Sequence, residues 1–308
     1  MSEPVIATDA LTKSFGTLTA VDRLDLSIAG GEMFALVGPD GAGKTTVMRM
    51  LTGVTAPTSG TARLLGFDLK RDLALLKKKI GYLSQRFSLY GDLTVDENIE
   101  FFAQIHGLRD FSARREELLD FTRLTPFRAR LSEKLSGGMK QKLALACTLV
   151  HTPEIIFLDE PTTGVDPVSR RDFWKILSNL LKTGITIVMT TPYLDEAERC
   201  SRVGLMDRGR LLMADTPHGL KARMRGTILE IVCDRTHEAR SALKDLAGVR
   251  EVQALGDRLN VAVEEDSSGR DAVQKALSDS GIVPTMIRTI SPSLENVFIS
   301  LVRSGGRT

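Results

Sequence analysis

The sequence lacks any long apolar run. None approaches the roughly 18 residues that a membrane-crossing helix needs, although 42% of its 308 residues are hydrophobic. The balance is that of a soluble globular protein with ample material for a core. Nor does Met1-Ser2-Glu3-Pro4 lead a charged region into an apolar stretch, so no signal peptide is expected. Cysteine is scarce: Cys147, Cys200 and Cys233 lie far apart with no C-x-x-C. They are expected to be buried small hydrophobes in a reducing cytoplasm, not disulfides or metal ligands. The histidines His106, His151, His218 and His237 share no ligand spacing, which weighs against a metal site built on them. An excess of one charge is missing too. The 41 basic and 39 acidic residues leave a net charge of +2, so no strong attraction to polyanions is implied. The basic clusters Lys77-Lys78-Lys79 and Arg223-Met224-Arg225 read as solvated helix faces. No low-complexity segment and no repeat of solenoid period is present.

What is present is punctuated by clear signals. The length predicts roughly two domains. Residues 1–30 alternate, as in Leu24-Asp25-Leu26-Ser27-Ile28, which predicts edge strands of an antiparallel sheet. Gly30-Gly31 marks a turn. Met33-Phe34-Ala35-Leu36-Val37 is a continuous apolar run of buried-strand type. It feeds a glycine-rich loop and a helix from about Lys44. Residues 94–106 and 112–124 carry helical patterns, the first opened by the capping-box sequence Thr94-Val95-Asp96-Glu97. From 91 to 150 no strand is predicted, so a helical subdomain is inserted in an α/β core. Buried strands return at 155–158 and 185–189, and strands alternating with helices predict a parallel sheet. Near 225 the pattern changes. Strands at 227–233, 249–254, 258–263 and 283–288, with helices at 236–246 and 268–280, give the order βαββαβ. That order predicts a small ferredoxin-like α+β domain, followed by a helix near 293–303. The expected division is 1–225 and 226–308.

Gly38-Pro39-Asp40-Gly41-Ala42-Gly43-Lys44-Thr45-Thr46 fits G-x-x-x-x-G-K-[ST]. Glycines let backbone N–H groups approach and wrap a phosphate, and the following helix turns its positive end to the same anion. Lys44 is expected to reach the β and γ phosphates and Thr45 to ligate Mg²⁺ through its hydroxyl. Ile155-Ile156-Phe157-Leu158 ends in Asp159-Glu160. A buried strand places both acids at its carboxyl end, where open α/β sheets bind ligands. Asp159 suits the Mg²⁺ shell, and Glu160 suits a base for the attacking water.

With these, Leu135-Ser136-Gly137-Gly138-Met139-Lys140-Gln141 resembles the signature motif of the ABC ATPase family. Ser136, Gly137 and Gly138 at a helix start would form a second anion site. The resemblance implies that this site faces the γ-phosphate held by another nucleotide-binding domain, with two ATPs sandwiched in a dimer. It assigns further residues: Phe15 as the adenine-stacking aromatic, Gln85 as the Q-loop residue touching Mg²⁺ and serving catalysis, and Asp166, in Gly164-Val165-Asp166-Pro167, as part of the D-loop at the dimer interface. It covers residues 1 to about 225. Ser291-Pro292-Ser293-Leu294-Glu295-Asn296-Val297-Phe298 resembles the tail of drug- and multidrug-export ATPases of the ABC-2 type.

One position departs from the family. The switch histidine would fall at 192, within Thr190-Thr191-Pro192-Tyr193, and the chain has Pro192. Proline offers neither a donor side chain nor a backbone N–H, so its own ATP site is expected to hydrolyse weakly. First-position domains of fused two-motor exporters share the departure, which implies an asymmetric pair; a slow homodimer is the plainer alternative. The function implied is an ATP-hydrolysing motor of an exporter of drug-like or lipophilic substrates, held at the inner face of the cell membrane by a separate transmembrane permease. Residues 80–110, including Phe87, Leu89, Tyr90, Phe101 and Phe102, would form the docking surface. A DNA- or ribosome-associated ABC ATPase would carry coiled coils, zinc modules or tandem motifs, none of which the sequence shows. A nucleic-acid partner is therefore not expected. A nucleotide-dependent regulator is the remaining alternative.

Overall fold

The alternating N-terminal segment forms an antiparallel pair. Strand β1 (Ile6–Phe15) lies against β2 (Leu18–Ile28), with Ile6 opposite Ile28. The computed structural model describes residues 4–85, 89–224, 226–264 and 266–305. Strand β3 (Met33–Val37) has every residue buried, as its unbroken apolar run requires. It leads into α1 (Lys44–Leu51). Strands β4 (Ser59–Leu64) and β5 (Phe67–Asp68) complete the first sheet in the order β2-β1-β4-β5. The short helix α2 (Leu73–Leu76) precedes β6 (Ile80–Leu83).

The inserted helices are α3 (Val95–Ile105), α4 (Ser112–Thr122) and α5 (Gly137–Leu149). Helix α3 starts where its capping box predicts. Thr94 Oγ1 accepts from the Glu97 N–H at 3.2 Å, and Glu97 Oε2 accepts from the Thr94 N–H at 2.8 Å. Such a reciprocal pair satisfies two otherwise orphaned donors and contributes on the order of 1 kcal/mol. Buried Asn98 staples the preceding loop, bonding Tyr90 N and O and Leu93 O.

Next come β7 (Ile155–Asp159), α6 (Pro167–Leu181), β8 (Thr186–Thr191), α7 (Leu194–Ala197), β9 (Arg202–Asp207) and β10 (Arg210–Asp215). The second sheet runs β10-β9-β3-β8-β7-β6, parallel throughout except for β10 at its edge. Strand β8 therefore lies between the strand before the glycine-rich loop and the strand that ends in the acid pair. Both β7 and β8 run slightly past the segments expected from sequence, so that Asp159 and Thr190-Thr191 fall inside strand ends.

Residues form two compact units, 1–217 and 218–308. Helix α8 (Pro217–Ala222) opens at that division. The second unit holds β11 (Thr227–Val232), α9 (Thr236–Leu243), β12 (Val249–Leu255), β13 (Arg258–Val263), α10 (Asp266–Asp279), β14 (Met286–Ile290) and α11 (Leu294–Gly305). Its antiparallel sheet has the order β12-β13-β11-β14. Leu229, Ile231, Leu259 and Val261 pack with Leu243, Val273 and Leu277 into a separate core. This is the ferredoxin-like unit expected from the order of elements. Strand β14 starts three residues later than the pattern predicts, because Pro284 has no N–H for the ladder and Val283 is left 87% exposed. Helix α11 packs within this unit, Asn296 Nδ2 donating to Gln253 Oε1 of β12 at 3.1 Å.

Candidate active site

Four adjacent parallel strands, β3, β8, β7 and β6, end side by side, and the segments leaving them carry the chemistry. The loop 38–43 leaves β3. It is packed so tightly against its neighbours that side chains are excluded at two glycines. A Cβ on Gly38 would lie 2.1 Å from the Met206 carbonyl oxygen. Gly43 has φ +100°, and a Cβ there would lie 2.4 Å from the Ala20 oxygen. Pro39, Asp40 and Gly41 form the exposed rim. Ala42 is buried, its N–H bonded to Pro39 O at 3.1 Å. Thr46 lies in the first turn of α1, whose free N–H ends face the loop. Lys44 is buried. Its ammonium donates to Gly38 O at 2.8 Å and Pro39 O at 3.0 Å, and stands 3.6 Å from Glu160 Oε1.

Asp159 ends β7 at 1% exposure and, among the described residues, is held by hydroxyls. Thr45 Oγ1 and Thr190 Oγ1 donate to its Oδ1 at 3.0 and 2.7 Å, and Tyr82 OH donates to Oδ2 at 3.3 Å. Burial, reinforced by the Asp159 charge, pushes the Tyr82 phenol up to about 12, so it remains a donor. Among the described residues Asp159 makes no ion pair. A buried carboxylate surrounded by neutral oxygens is a donor set that fits a hard divalent cation. Glu160 adopts the left-handed conformation, φ +49°, rare for a residue with a Cβ. The Glu160 N–H donates to Thr190 Oγ1 at 2.9 Å, and its Oε2 accepts from Gln85 Nε2 at 3.0 Å.

Lys44, Thr45, Gln85, Asp159 and Glu160 are thus brought together by direct contacts. Sequence reasoning did not single out Thr190 and Tyr82, which tie that group together. The hydroxyl pair Thr190-Thr191 immediately before Pro192 was the available signal.

The other expected site residues stand apart from those contacts. Phe15 is 53% exposed at the end of β1, with Lys13 Nζ 4.9 Å from its ring centre. It is no part of the core. Ser136 caps α5, accepting from the Met139 N–H at 3.3 Å. The two signature glycines differ. Gly137 has open space where a Cβ would project, whereas a Cβ on Gly138 would lie 2.4 Å from that of Ser169 on α6. Asp166 caps α6, accepting from Val168 N–H and Ser169 N–H at 3.0 and 2.9 Å. A hydrogen bond from the Ser169 side chain, and then those from the Ser169 and Val168 N–H groups, hold its carboxyl below the usual range. Pro192 follows β8 directly.

Of the expected docking residues, Phe87 lies outside the described residues. Leu89 and Phe102 line a small cavity with Tyr82 and Cys147, and Tyr90 and Phe101 pack edge to face at 4.4 Å. All three cysteines are buried. Among the described residues no group of three or more His, Cys, Asp or Glu side chains could hold a metal ion, and no helix is long and apolar enough to cross a membrane.

Comparison with known proteins agrees with this geometry. Residues 21–163 match the ABC transporter family, and residues 216–302 match the C-terminal domain of DrrA1-3-like ATP-binding proteins. The probable multidrug ABC transporter ATP-binding protein YbhF of Escherichia coli (strain K12) is 45% identical over 224 residues, 72% of this chain. The chain spans only 39% of that protein's length. The daunorubicin resistance ATP-binding protein DrrA3 of Streptomyces coeruleorubidus is 34% identical across 98% of this chain and 96% of its own. Among solved structures, the dimeric post-hydrolysis form of the ATP-binding cassette MJ0796 bound to ADP and Pi matches with a TM-score of 0.63 and 26% identity, over 68% of this chain and 98% of that one. The chain belongs to the family of ABC transporter ATP-binding proteins and carries a C-terminal domain of the DrrA1-3-like type.

Proposed function

We propose that this chain is the ATP-hydrolysing motor of an exporter, working with a separate transmembrane permease at the inner face of the cell membrane. The observation that carries the reading is the single constellation of Lys44, Thr45, Gln85, Asp159 and Glu160 at adjoining strand ends. Lys44 leaves its loop carbonyls and meets the β and γ phosphates. Thr45 and Asp159 hold Mg²⁺, which when bound neutralises developing charge on the phosphates. Glu160 accepts a hydrogen bond from the attacking water, and Gln85 fixes the carboxylate that does so. The γ-phosphorus–oxygen bond breaks, water supplies the new oxygen, and ADP and phosphate leave. Phe15 stacks on adenine.

Ser136, Gly137 and Asp166 face the nucleotide of a second cassette. The dimeric state of the MJ0796 cassette supports such a sandwich. Pro192 leaves this chain's own water without the histidine donor, while its signature remains able to serve a partner's ATP. The pair is then asymmetric. The 226–308 segment is an accessory or regulatory domain. The names of the relatives, a multidrug transporter and daunorubicin resistance proteins, support export of lipophilic or drug-like compounds.

The test is equilibrium binding of ATP to the purified chain with Mg²⁺ and with chelator. Tight binding that falls at least about tenfold in Lys44→Ala, and that weakens on Mg²⁺ removal, supports the reading. Binding indifferent to both contradicts it.

A further inference from the structure

Glu196 lies in α7 at 1% exposure and is used by none of the steps above. Its Oε2 accepts two hydroxyl donors that arrive from different segments. Thr162, in the turn after Glu160, donates at 2.7 Å, and Thr191, at the end of β8, donates at 3.0 Å. Both threonines are buried. The other carboxylate oxygen faces Arg170 Nε of α6 at 3.4 Å, but the N–H is not directed at it, and neither atom is satisfied by a hydrogen bond. The Arg170 guanidinium in turn lies 4.7 Å from the centre of the Tyr193 ring. A buried, incompletely satisfied carboxylate is costly, and an apolar residue of similar volume is often the more stable choice. The compensation is geometric. Thr162 belongs to the turn that carries Glu160, with Thr163 N–H bonded to Glu160 O at 3.3 Å and Val165 N–H to Thr162 O at 3.2 Å. Thr191 accepts from the Tyr193 N–H at 3.1 Å and so frames Pro192 from both sides.

We propose that Glu196 is a positioning residue: its carboxylate ties the switch segment 191–193 to the turn 160–163, so that the base and the switch position move as one. The catalytic part rests on the reading of Glu160 as the base; the mechanical part does not. In a chain with proline at 192, no side chain at that position bridges the two segments, and Glu196 supplies the bridge from behind.

The test compares Glu196→Gln, which keeps an acceptor oxygen, with Glu196→Met, which keeps the volume and loses the acceptor. Hydrogen exchange is read on the full nucleotide-free chain at the amides of Thr163, Val165 and Tyr193. The expected result is exchange about tenfold or more faster at both segments in the Met variant, near wild type in the Gln variant, with the β3 and β7 amides unchanged. Protection in the Met variant equal to wild type, loss in the Gln variant equal to that in Met, a response in one segment only, or uniform loosening of the domain would each overturn the proposal. Turnover is read on the same variants in whichever background, wild type or Pro192→His, hydrolyses ATP. The Met variant is expected to lose about tenfold in kcat with KM within about threefold. A loss confined to KM contradicts the positioning role. Absence of turnover in every background would instead count against the ATPase reading, and the exchange pattern would still decide the linkage.

Discussion

Gln85 and Glu160, 75 positions apart, are joined by a 3.0 Å hydrogen bond from the Gln85 amide to Oε2 of the carboxylate. The other oxygen of Glu160 faces the Lys44 ammonium. The carboxylate is thus held from two sides. Glu160→Gln keeps size and removes the proposed base. In an assembly that turns over ATP, turnover is expected to fall by at least about 100-fold while ATP affinity changes by less than about threefold. Parallel steady-state and equilibrium-binding measurements check it; equal losses in both would show Glu160 to be a binding group.

Gly138 and Ser169 hold α5 and α6 at a spacing that admits no side chain. Gly138→Ala forces a Cβ to within 2.4 Å of the Ser169 Cβ, and a loss of about 1–3 kcal/mol is expected. Gly137→Ala meets only open space and is expected to leave stability unchanged or slightly raised, alanine being the better helix former. Denaturant unfolding of the two variants separates them.

His151 is a pH-sensitive point of the fold. Its ring stacks on His106 at 3.8 Å, and Nε2–H donates to Ile80 O at 3.0 Å. Burial, and then the neighbouring His106, push its pKa down to about 4. The unfolded chain titrates near the ordinary value of about 6.5, so it binds the proton more tightly than the folded one. Stability from the neutral ring is complete above about pH 6.5 and is lost as pH falls towards 4. Because the ring is partly exposed, a loss of about 1–2 kcal/mol is expected across that window. Unfolding at pH 7.5 and 5, compared with His151→Asn, isolates the contribution. The variant is expected to show the shallower decline.

Burial also pushes up the thiols of Cys147 and Cys200, the latter to about 12. With Cys233 buried as well, a thiol reagent is expected to modify none of the three at pH 8 until the chain unfolds. Rapid modification of a native thiol would show local opening.

The parts of the site legible in the sequence were those written contiguously. The phosphate loop, the acid pair and the signature each occupy a few adjacent positions, and their strand or helix context is carried by neighbouring residues. The βαββαβ order of the second unit was legible for the same reason, since each period is local. Residues that act across the fold were not. Thr190 reaches Asp159 across 31 positions, and Tyr82 does so across 77. Only the strand order brings them together. Strands β4, β5, β6, β9 and β10 also escaped: β5 is two residues long, β4 and β10 are only partly buried, and glycines interrupt the short apolar runs of β6 (Gly81) and β9 (Gly204). The shift of β14 follows from one proline whose effect is local but which periodicity alone passes over.

In the proposed function, the nucleotide site lacks the donor that a histidine in place of Pro192 would supply. The most direct measurement is ATP turnover of the purified chain, alone and as Pro192→His, with Glu160→Gln as the inactive control. Near silence in the wild type and a rise of about tenfold or more in Pro192→His are expected. Vigorous wild-type turnover that the histidine does not raise would contradict the claim and make a homodimer with another water-orienting group the better description.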